Sequence, residues 1–342
     1  MIIEAILIYI PSDVYSQNLE LGINGHPFVQ VGYKDVSIQD QLDLVKEIGA
    51  KWYRVDCYGQ ATQPQFLPHI KELVAEAKKR GISILPVIFP PVDIKKETDV
   101  NKIYKISYDY SKKLVHELKQ DVKVWELDNE LDNFAMVKKG ELSYIGRLWK
   151  FDIPSGDKVE HYEADRLQKS MALLKGLSDG VYAADPKAKR IINANWIHYG
   201  FFEHIVLNKI NYEIIGWHWY SNMGDILNVK GKFNLLAKLN EFNKPLWITE
   251  INRKGGSQGI DGEQELDRYM KGLLQTYPEY SIKYRIEKLM IYELLDEPQF
   301  GSNNPESFYG LVNVNKDKNG KFKATTKKSA FETIKEYFKS NR

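Results

Sequence analysis

The sequence predicts an α/β protein folded as a (β/α)8 TIM barrel, with an enlarged loop after the fourth strand and a C-terminal hairpin plus closing helix. Three observations carry this expectation. Short, almost wholly apolar runs alternate with longer amphipathic stretches along the 342 residues, and such strands between helices belong to a parallel sheet covered by helices. The alternation repeats eight times, the number that closes the sheet into a barrel. Neither G-x-G-x-x-G nor G-x-x-x-x-G-K-[ST] follows an early strand, so an open, doubly wound nucleotide-binding sheet lacks its signature.

Residues 19–23 or 28–31 read as the first strand, and Ser37 caps a helix over 38–48. A strand over 52–55 leads to a helix over 67–80 that Gly81 stops. The strand over 82–88 runs into Pro90-Pro91, and a helix over 101–119 precedes the strand over 122–127. Residues 132–156 form an irregular polar stretch before a long helix near 159–184. Strands over 190–194, 214–217, 245–249 and 288–294 then alternate with helices over 200–207, 232–242 and 262–277. Asn319-Gly320 turns a hairpin, and residues 326–338 make the closing helix.

Composition narrows the function classes. With 43% hydrophobic and 27% charged residues the chain is neither disordered nor fibrous. Its 48 basic and 46 acidic residues give no electrostatic footprint for nucleic acid or an anionic membrane. No apolar run approaches the ~20 residues of a membrane span. A single cysteine, Cys57, excludes intrachain disulfides and cysteine-rich metal centres. One catalytic domain is expected over 19–342, preceded by an N-terminal tail or signal-peptide remnant over 1–18. That segment is apolar to residue 10 apart from Glu4 and lacks a basic leader, so export and a cytoplasmic location fit equally well. Nothing in the sequence bears on oligomeric state.

In such barrels the chemistry lies at the carboxyl ends of the strands. Strand two ends in Arg54 and Asp56, and strand four gives Trp125-Glu126-Leu127-Asp128-Asn129-Glu130. Strand five ends in Asn193-Ala194-Asn195-Trp196 and strand six in Trp217-His218-Trp219-Tyr220. Strand seven gives Trp247-Ile248-Thr249-Glu250 and strand eight Tyr292-Glu293. Glu130 and Glu250, after strands four and seven, face each other across a barrel mouth. Two facing carboxyl groups suit glycoside hydrolysis: one protonates the leaving oxygen while the other attacks or stabilises the oxocarbenium-like centre. The acid is expected to have a raised pKa from its carboxylate neighbour, and Arg54 is the cation that favours an ionised nucleophile.

These residues, in this order, resemble clan A of the retaining glycoside hydrolases. Asn129-Glu130 matches the clan's acid/base motif, and Trp247-Ile248-Thr249-Glu250 its nucleophile strand. His218-Trp219-Tyr220 resembles the His-x-Tyr of strand six, and residues 292–298 with Tyr309-Gly310-Leu311 are similar to the strand-eight region. The resemblance spans residues 21–338. It implies that Glu130 is the general acid/base and Glu250 the nucleophile. It further implies that Asn129 bonds the sugar 2-hydroxyl, Tyr220 holds Glu250, His218 shapes the site and Arg54 supports the nucleophile. The chain departs from the clan in having Ile88-Phe89-Pro90-Pro91 in place of histidines after strand three, Tyr292 and Glu293 where a tryptophan platform is common, and Asp128 where a small residue is usual. The family within the clan is left open.

The alternating Glu126, Asp128, Glu130 and Asp132 also read as an oxygen-rich metal site, but no loop glycine or EF-hand pattern supports calcium, so no metal or cofactor is expected. Glu126 and Asp128 are expected to support the barrel interior, and Asp132 to lie in the loop. His161, His198 and His204 read as solvated or capping residues. No G-x-S-x-G elbow points to a serine hydrolase. The chain contains 21 Tyr, 14 Phe and 7 Trp, and aromatic planes stack on sugar rings. Phe134, Tyr144, Trp149 and Phe151 of the polar stretch, with Asn195, Trp196, Trp219 and Glu293, are candidates for lining the cleft. The expected substrate is a β-linked poly- or oligosaccharide, cleaved internally; an open cleft favours endo action and a pocket closed by the 132–156 stretch favours exo action. A catalytically inactive sugar-binding barrel and a transglycosylase with the same glutamates are the competing readings.

Overall fold

The computed structural model describes residues 19–152 and 154–340. Eight parallel strands close into one barrel in chain order. They are β1 (Glu20–Gly25), β2 (Trp52–Cys57), β3 (Ser83–Ile88), β4 (Val124–Leu127), β5 (Lys189–Asn195), β6 (Ile214–Tyr220), β7 (Leu246–Asn252) and β8 (Ile286–Ile291). The sequence-predicted segment 28–31 is not a strand; its last residue opens a one-turn helix, α1 (Val31–Lys34). The expectation for residues 1–18 lies outside the described residues.

Helices pack their apolar stripes against the outward strand faces. Ser37 caps α2 (Ile38–Glu47) by accepting from the Asp40 amide, and α3 (Leu67–Lys79) and α4 (Val100–Leu118) follow. The predicted polar stretch starts with a short helix, α5 (Leu131–Ala135). The long helix α6 (Ala164–Ala184) begins later than expected because Glu163 caps it, accepting from the amides of Asp165 and Arg166. After α7 (Tyr199–Leu207) and the short α8 (Leu235–Asn240), α9 (Gly262–Tyr284) runs through Pro278 and so outlasts its predicted end. The hairpin β9 (Val312–Lys316) and β10 (Phe322–Lys327) takes up the first residues assigned to the closing helix, α10 (Ser329–Ser340), which packs on α9.

The barrel interior is layered. Leu85, Val124, Ile191, Ile214, Trp247 and Met290 fill an apolar floor. Above it the inward residues turn polar: Asn24, Arg54, Glu126, Asn193 and His218 are all buried. Gly216 leaves room between floor and site, since a Cβ there would stand 2.9 Å from Asn193 Cβ and 3.0 Å from Thr249 Oγ1. Between β6 and β7 the register slips by one residue, pairing Trp217 with Ile248 but His218 with Glu250. The slip turns Glu250 inward opposite His218, the re-aiming that bulges beside active sites produce.

Candidate active site

The peptide after β4 leaves extended geometry at two residues, Asp128 with φ 62° and Glu130 with φ 50°. Left-handed conformations are uncommon for side chains of this size and persist only where the surroundings hold them. Here Asn193 does so: its Nδ2 donates to Asp128 O and to Glu126 Oε1, both at 2.8 Å, and its Oδ1 accepts from the Glu130 amide at 2.8 Å. This lifts Asn129 and Glu130 over the barrel mouth.

Arg54 is the hub beneath them. Its Nε donates to Glu126 Oε2 at 2.6 Å and its Nη2 to Asn129 Oδ1 at 2.7 Å. Nη1 donates to both Asn24 Oδ1 and Glu250 Oε1 at 2.8 Å. Burial opposes charge on Arg54, but Glu126 and Glu250 outweigh it and raise its pKa further. Burial likewise pushes Glu126 up, yet Arg54 and His218 hold it down to about 2.

Glu250 is fixed from its other side by Tyr220, whose hydroxyl donates to Oε2 at 2.8 Å. His218 lies between the two glutamates, with Nδ1 2.8 Å from Glu130 Oε1 and 3.6 Å from Glu250 Oε2. Glu130, His218 and Glu250 each present an atom within 4.8 Å of the others. Burial disfavours the imidazolium, but Glu250, Glu126 and Glu130 prevail and raise His218 to about 10. Glu130 departs from the raised pKa expected of it. Burial does push it up, but the hydrogen bonds from His218 and Asn195 bring it below its ordinary range. His218 is thus held toward its protonated form and Glu130 toward its ionised form.

The cleft above these groups has a volume of about 490 Å³, and Arg54, Asn129, Glu130, Tyr220 and Glu250 line it. His218 and Asn195 touch Glu130 from beneath. Three candidates lie elsewhere. Trp219 is 3% exposed, on the outward face of β6, where it stacks on Trp196 at 5.6 Å and donates to Gly224 O. Trp196 borders a separate hollow with Asn133 and His198. Glu293 is fully buried behind the cleft wall and accepts from the Tyr33 hydroxyl.

The aromatics of the polar stretch do not line the cleft either: Trp149 is buried against His161, Tyr144 packs edge-on to His204, and Phe151 is exposed. The walls are instead Tyr58 and Phe89, stacked at 4.4 Å, with Tyr292 and Tyr309 opposite. Asp132 is not a loop residue but a buried member of α5, where it accepts from the Asn195 amide and meets His198 Nδ1 at 2.5 Å. His161, His198 and His204 are all buried: His198 meets Asp132 and His204 the Val159 carbonyl, while His161 Nδ1 lies 3.2 Å from Asp157 without a hydrogen bond. Asn24 went unnoticed in the sequence, although one polar residue ending an apolar strand beside Arg54 was the available signal.

No family model matches the chain, and no curated protein does. Solved structures do. A family 39 glycoside hydrolase from Bacteroides cellulosilyticus WH2 superimposes with a TM-score of 0.62 at 15% identity, over 93% of this chain and 63% of that one, so this chain spans less than two thirds of its length. A family 1 β-glucosidase from Thermotoga maritima, solved with isofagomine lactam, gives 0.69 at 14% identity over 96% and 99% of the two chains. The AHE enzyme from Alicyclobacillus herbarius gives 0.68 at 11% identity over 96% and 99%. Likeness at such identity establishes architecture, and the chain has the (β/α)8 barrel found in family 1 and family 39 glycoside hydrolases.

Proposed function

We propose that the chain is a retaining β-glycoside hydrolase acting within β-linked poly- or oligosaccharides. The observation that carries this reading is the approach of Glu130 and Glu250 to within 4.8 Å at the cleft floor. Retaining enzymes hold their carboxyl groups ~5–5.5 Å apart, whereas inverting enzymes need ~6.5–9.5 Å to admit a water. In this mechanism Glu250 attacks the anomeric carbon as Glu130 protonates the departing oxygen. Water, deprotonated by Glu130, then releases the sugar from Glu250.

Arg54 and Tyr220 suit a nucleophile, since each binds a different oxygen of Glu250 and fixes its plane. Asn129 gives its Oδ1 to Arg54, which leaves its Nδ2 to donate to a sugar hydroxyl. The proton for the leaving group rests on His218 and reaches Glu130 across their 2.8 Å contact. Endo action is supported by the cleft walls: among the described residues, the 132–156 stretch contributes none of the lining.

The test is product release from β-glucans, xylans, mannans, galactans and aryl β-glycosides by wild type and Glu250→Gln side by side, with the first-formed anomer read by NMR. Wild type is expected to release the retained anomer and to lower polysaccharide viscosity early, and Glu250→Gln to be slower by orders of magnitude. Wild-type rates in Glu250→Gln, or an inverted first product, overturn the mechanism. Release of monosaccharide alone overturns endo action.

A further inference from the structure

At one wall of the cleft, which His26 itself lines, a second cluster lies outside the acid/base pair. His26 follows β1, while Glu293 and Glu297 lie on the segment after β8. Their ligand-capable atoms fall within 4.8 Å of one another. Glu293 and Glu297 are 0% and 1% exposed. Buried polar groups almost always find partners, and a buried carboxylate without a cation is costly. Yet Glu293 Oε1, Glu297 Oε1 and His26 Nε2 are all buried without a hydrogen-bond partner. Among the described residues no lysine or arginine forms an ion pair with either glutamate, and the nitrogen facing Glu293 is His26 Nε2, 3.4 Å from Oε2.

The surroundings orient two of the three toward the cluster. The Tyr33 hydroxyl donates at 2.8 Å to Glu293 Oε2, the oxygen that His26 Nε2 faces at 3.4 Å, and leaves Oε1 unpartnered. Asp56 Oδ2 lies 2.7 Å from His26 Nδ1 and accepts its proton, so Nε2 faces the glutamates. A carboxylate that fixes a histidine from behind is the usual outer support of a metal-bound imidazole. The other candidate group, Glu130, His218 and Glu250, differs in this respect: Arg54, Tyr220 and Asn133 already engage its carboxylates.

We propose that His26, Glu293 and Glu297 bind a divalent transition-metal ion of the zinc–manganese class, which ties the carboxyl end of β1 to the segment after β8 at the edge of the cleft. One imidazole and two carboxylates match that class, whereas calcium takes six to eight oxygens. The three residues stand at positions 26, 293 and 297, a separation that no local motif announces.

The test uses the full chain, stripped with EDTA and titrated calorimetrically with ZnCl2, MnCl2 and CaCl2, followed by dialysis and metal counting by mass spectrometry. Wild type is expected to retain one zinc or manganese ion and to melt at a higher temperature with it. Glu297→Gln and His26→Gln should each weaken binding by ~100-fold or more, and Asp56→Asn by ~10–100-fold. Glu130→Gln should bind as wild type does. Anomalous scattering from crystals of the loaded wild type locates the ion independently of how any variant folds. Failure of wild type to retain zinc or manganese, preference for calcium, or an anomalous peak at Glu130 and Glu250 overturns the proposal. Full retention by a folded Glu297→Gln chain does so too. None of these readouts depends on glycoside hydrolysis, so the site and the enzymatic reading stand or fall separately.

Discussion

His218 Nδ1 lies 2.8 Å from Glu130 Oε1, so one hydrogen bond joins the two groups. With His218 raised to about 10 and Glu130 held low, the two groups share one proton from the carboxyl range up to about pH 10. A constant fraction of that proton sits on Glu130 across the window. The alkaline limb of kcat/KM in wild type therefore belongs to the pair and falls near pH 10. In His218→Gln only Glu130 holds the proton, so the limb should move down by several pH units. A pH–rate profile on an aryl β-glycoside measures this, and an unmoved limb removes the sharing.

Glu130→Gln separates the two halves of the reaction. Good leaving groups depart with little protonation, so dinitrophenyl glycosides should lose far less in the glycosylation step than alkyl glycosides or disaccharides. Pre-steady-state bursts on a leaving-group series give the comparison. Equal loss across the series contradicts the role of Glu130.

Arg54 is as much a structural as a functional group. Arg54→Met strands Glu126 and Glu250 in the barrel without their cation, and breaking a buried pair in this way costs ~3–5 kcal/mol. Arg54→Lys keeps the charge, but one ammonium cannot reach Glu126, Asn129, Asn24 and Glu250 at once, so it should rescue stability in part and turnover little. Urea denaturation and kcat on the same samples distinguish the two effects. The linked pH dependence has a definite sign. Glu126 titrates lower in the fold than its ordinary 4.5, so its stabilisation is present above pH 4.5 and is lost as the pH falls toward about 2. Glu126→Gln should flatten that acid limb.

The strand ends were legible in the sequence because a charged or amide residue interrupting an apolar run stands out, and Arg54, Asn129, Glu130, Tyr220 and Glu250 all line the cleft. What periodicity could not supply was the side of the strand once regularity failed. The one-residue slip beside Glu250 and the left-handed turns at Asp128 and Glu130 put neighbouring residues on unexpected faces. Trp219 illustrates the cost of sequence proximity, since it sits between two site residues and points the other way. The loop aromatics failed for another reason: Trp149 packs on His161 and Tyr144 on His204, distant partners that no local pattern reveals. Asn24 joins the site through Arg54 on the neighbouring β2, whereas Glu293 stands behind the cleft wall on the segment that closure of β8 on β1 brings to Tyr33.

Asp128 offers a stability test that is separate from catalysis. Burial raises its carboxyl to about 7, with the Asn129 amide offsetting this only in part. The fold thus favours the neutral acid. Its contribution is fully present below the ordinary 3.8 and is lost as the pH rises through about 7. Asp128→Asn keeps an acceptor for the Asn129 amide and tolerates the left-handed φ of 62°. The variant should match wild type near pH 4 and exceed it at pH 8 by about 1–3 kcal/mol. Chemical denaturation at the two pH values reads the difference, and an advantage independent of pH contradicts the assignment.

Tyr58 and Phe89 are the aromatic wall that neither motif nor spacing announced. Their rings stack at 4.4 Å with an interplanar angle of 10°, on the β2 and β3 side of the cleft. Tyr58 is 37% exposed, so its outer face is open to a sugar ring, and it touches none of Arg54, Glu130 or Glu250 through a hydrogen bond. A platform of this kind binds ground state and transition state alike. Its removal is therefore expected to raise KM with little change in kcat. Tyr58→Ala should raise KM several-fold, by ~1 kcal/mol of lost stacking, and Tyr58→Phe should behave as wild type. Trp219→Ala is the control, since its side chain stacks on Trp196 and holds the Gly224 carbonyl rather than lining the cleft: it should lower the melting temperature and leave KM unchanged. Steady-state kinetics on an oligosaccharide series decide between them, and a fall in kcat for Tyr58→Ala with KM unmoved rules out the platform.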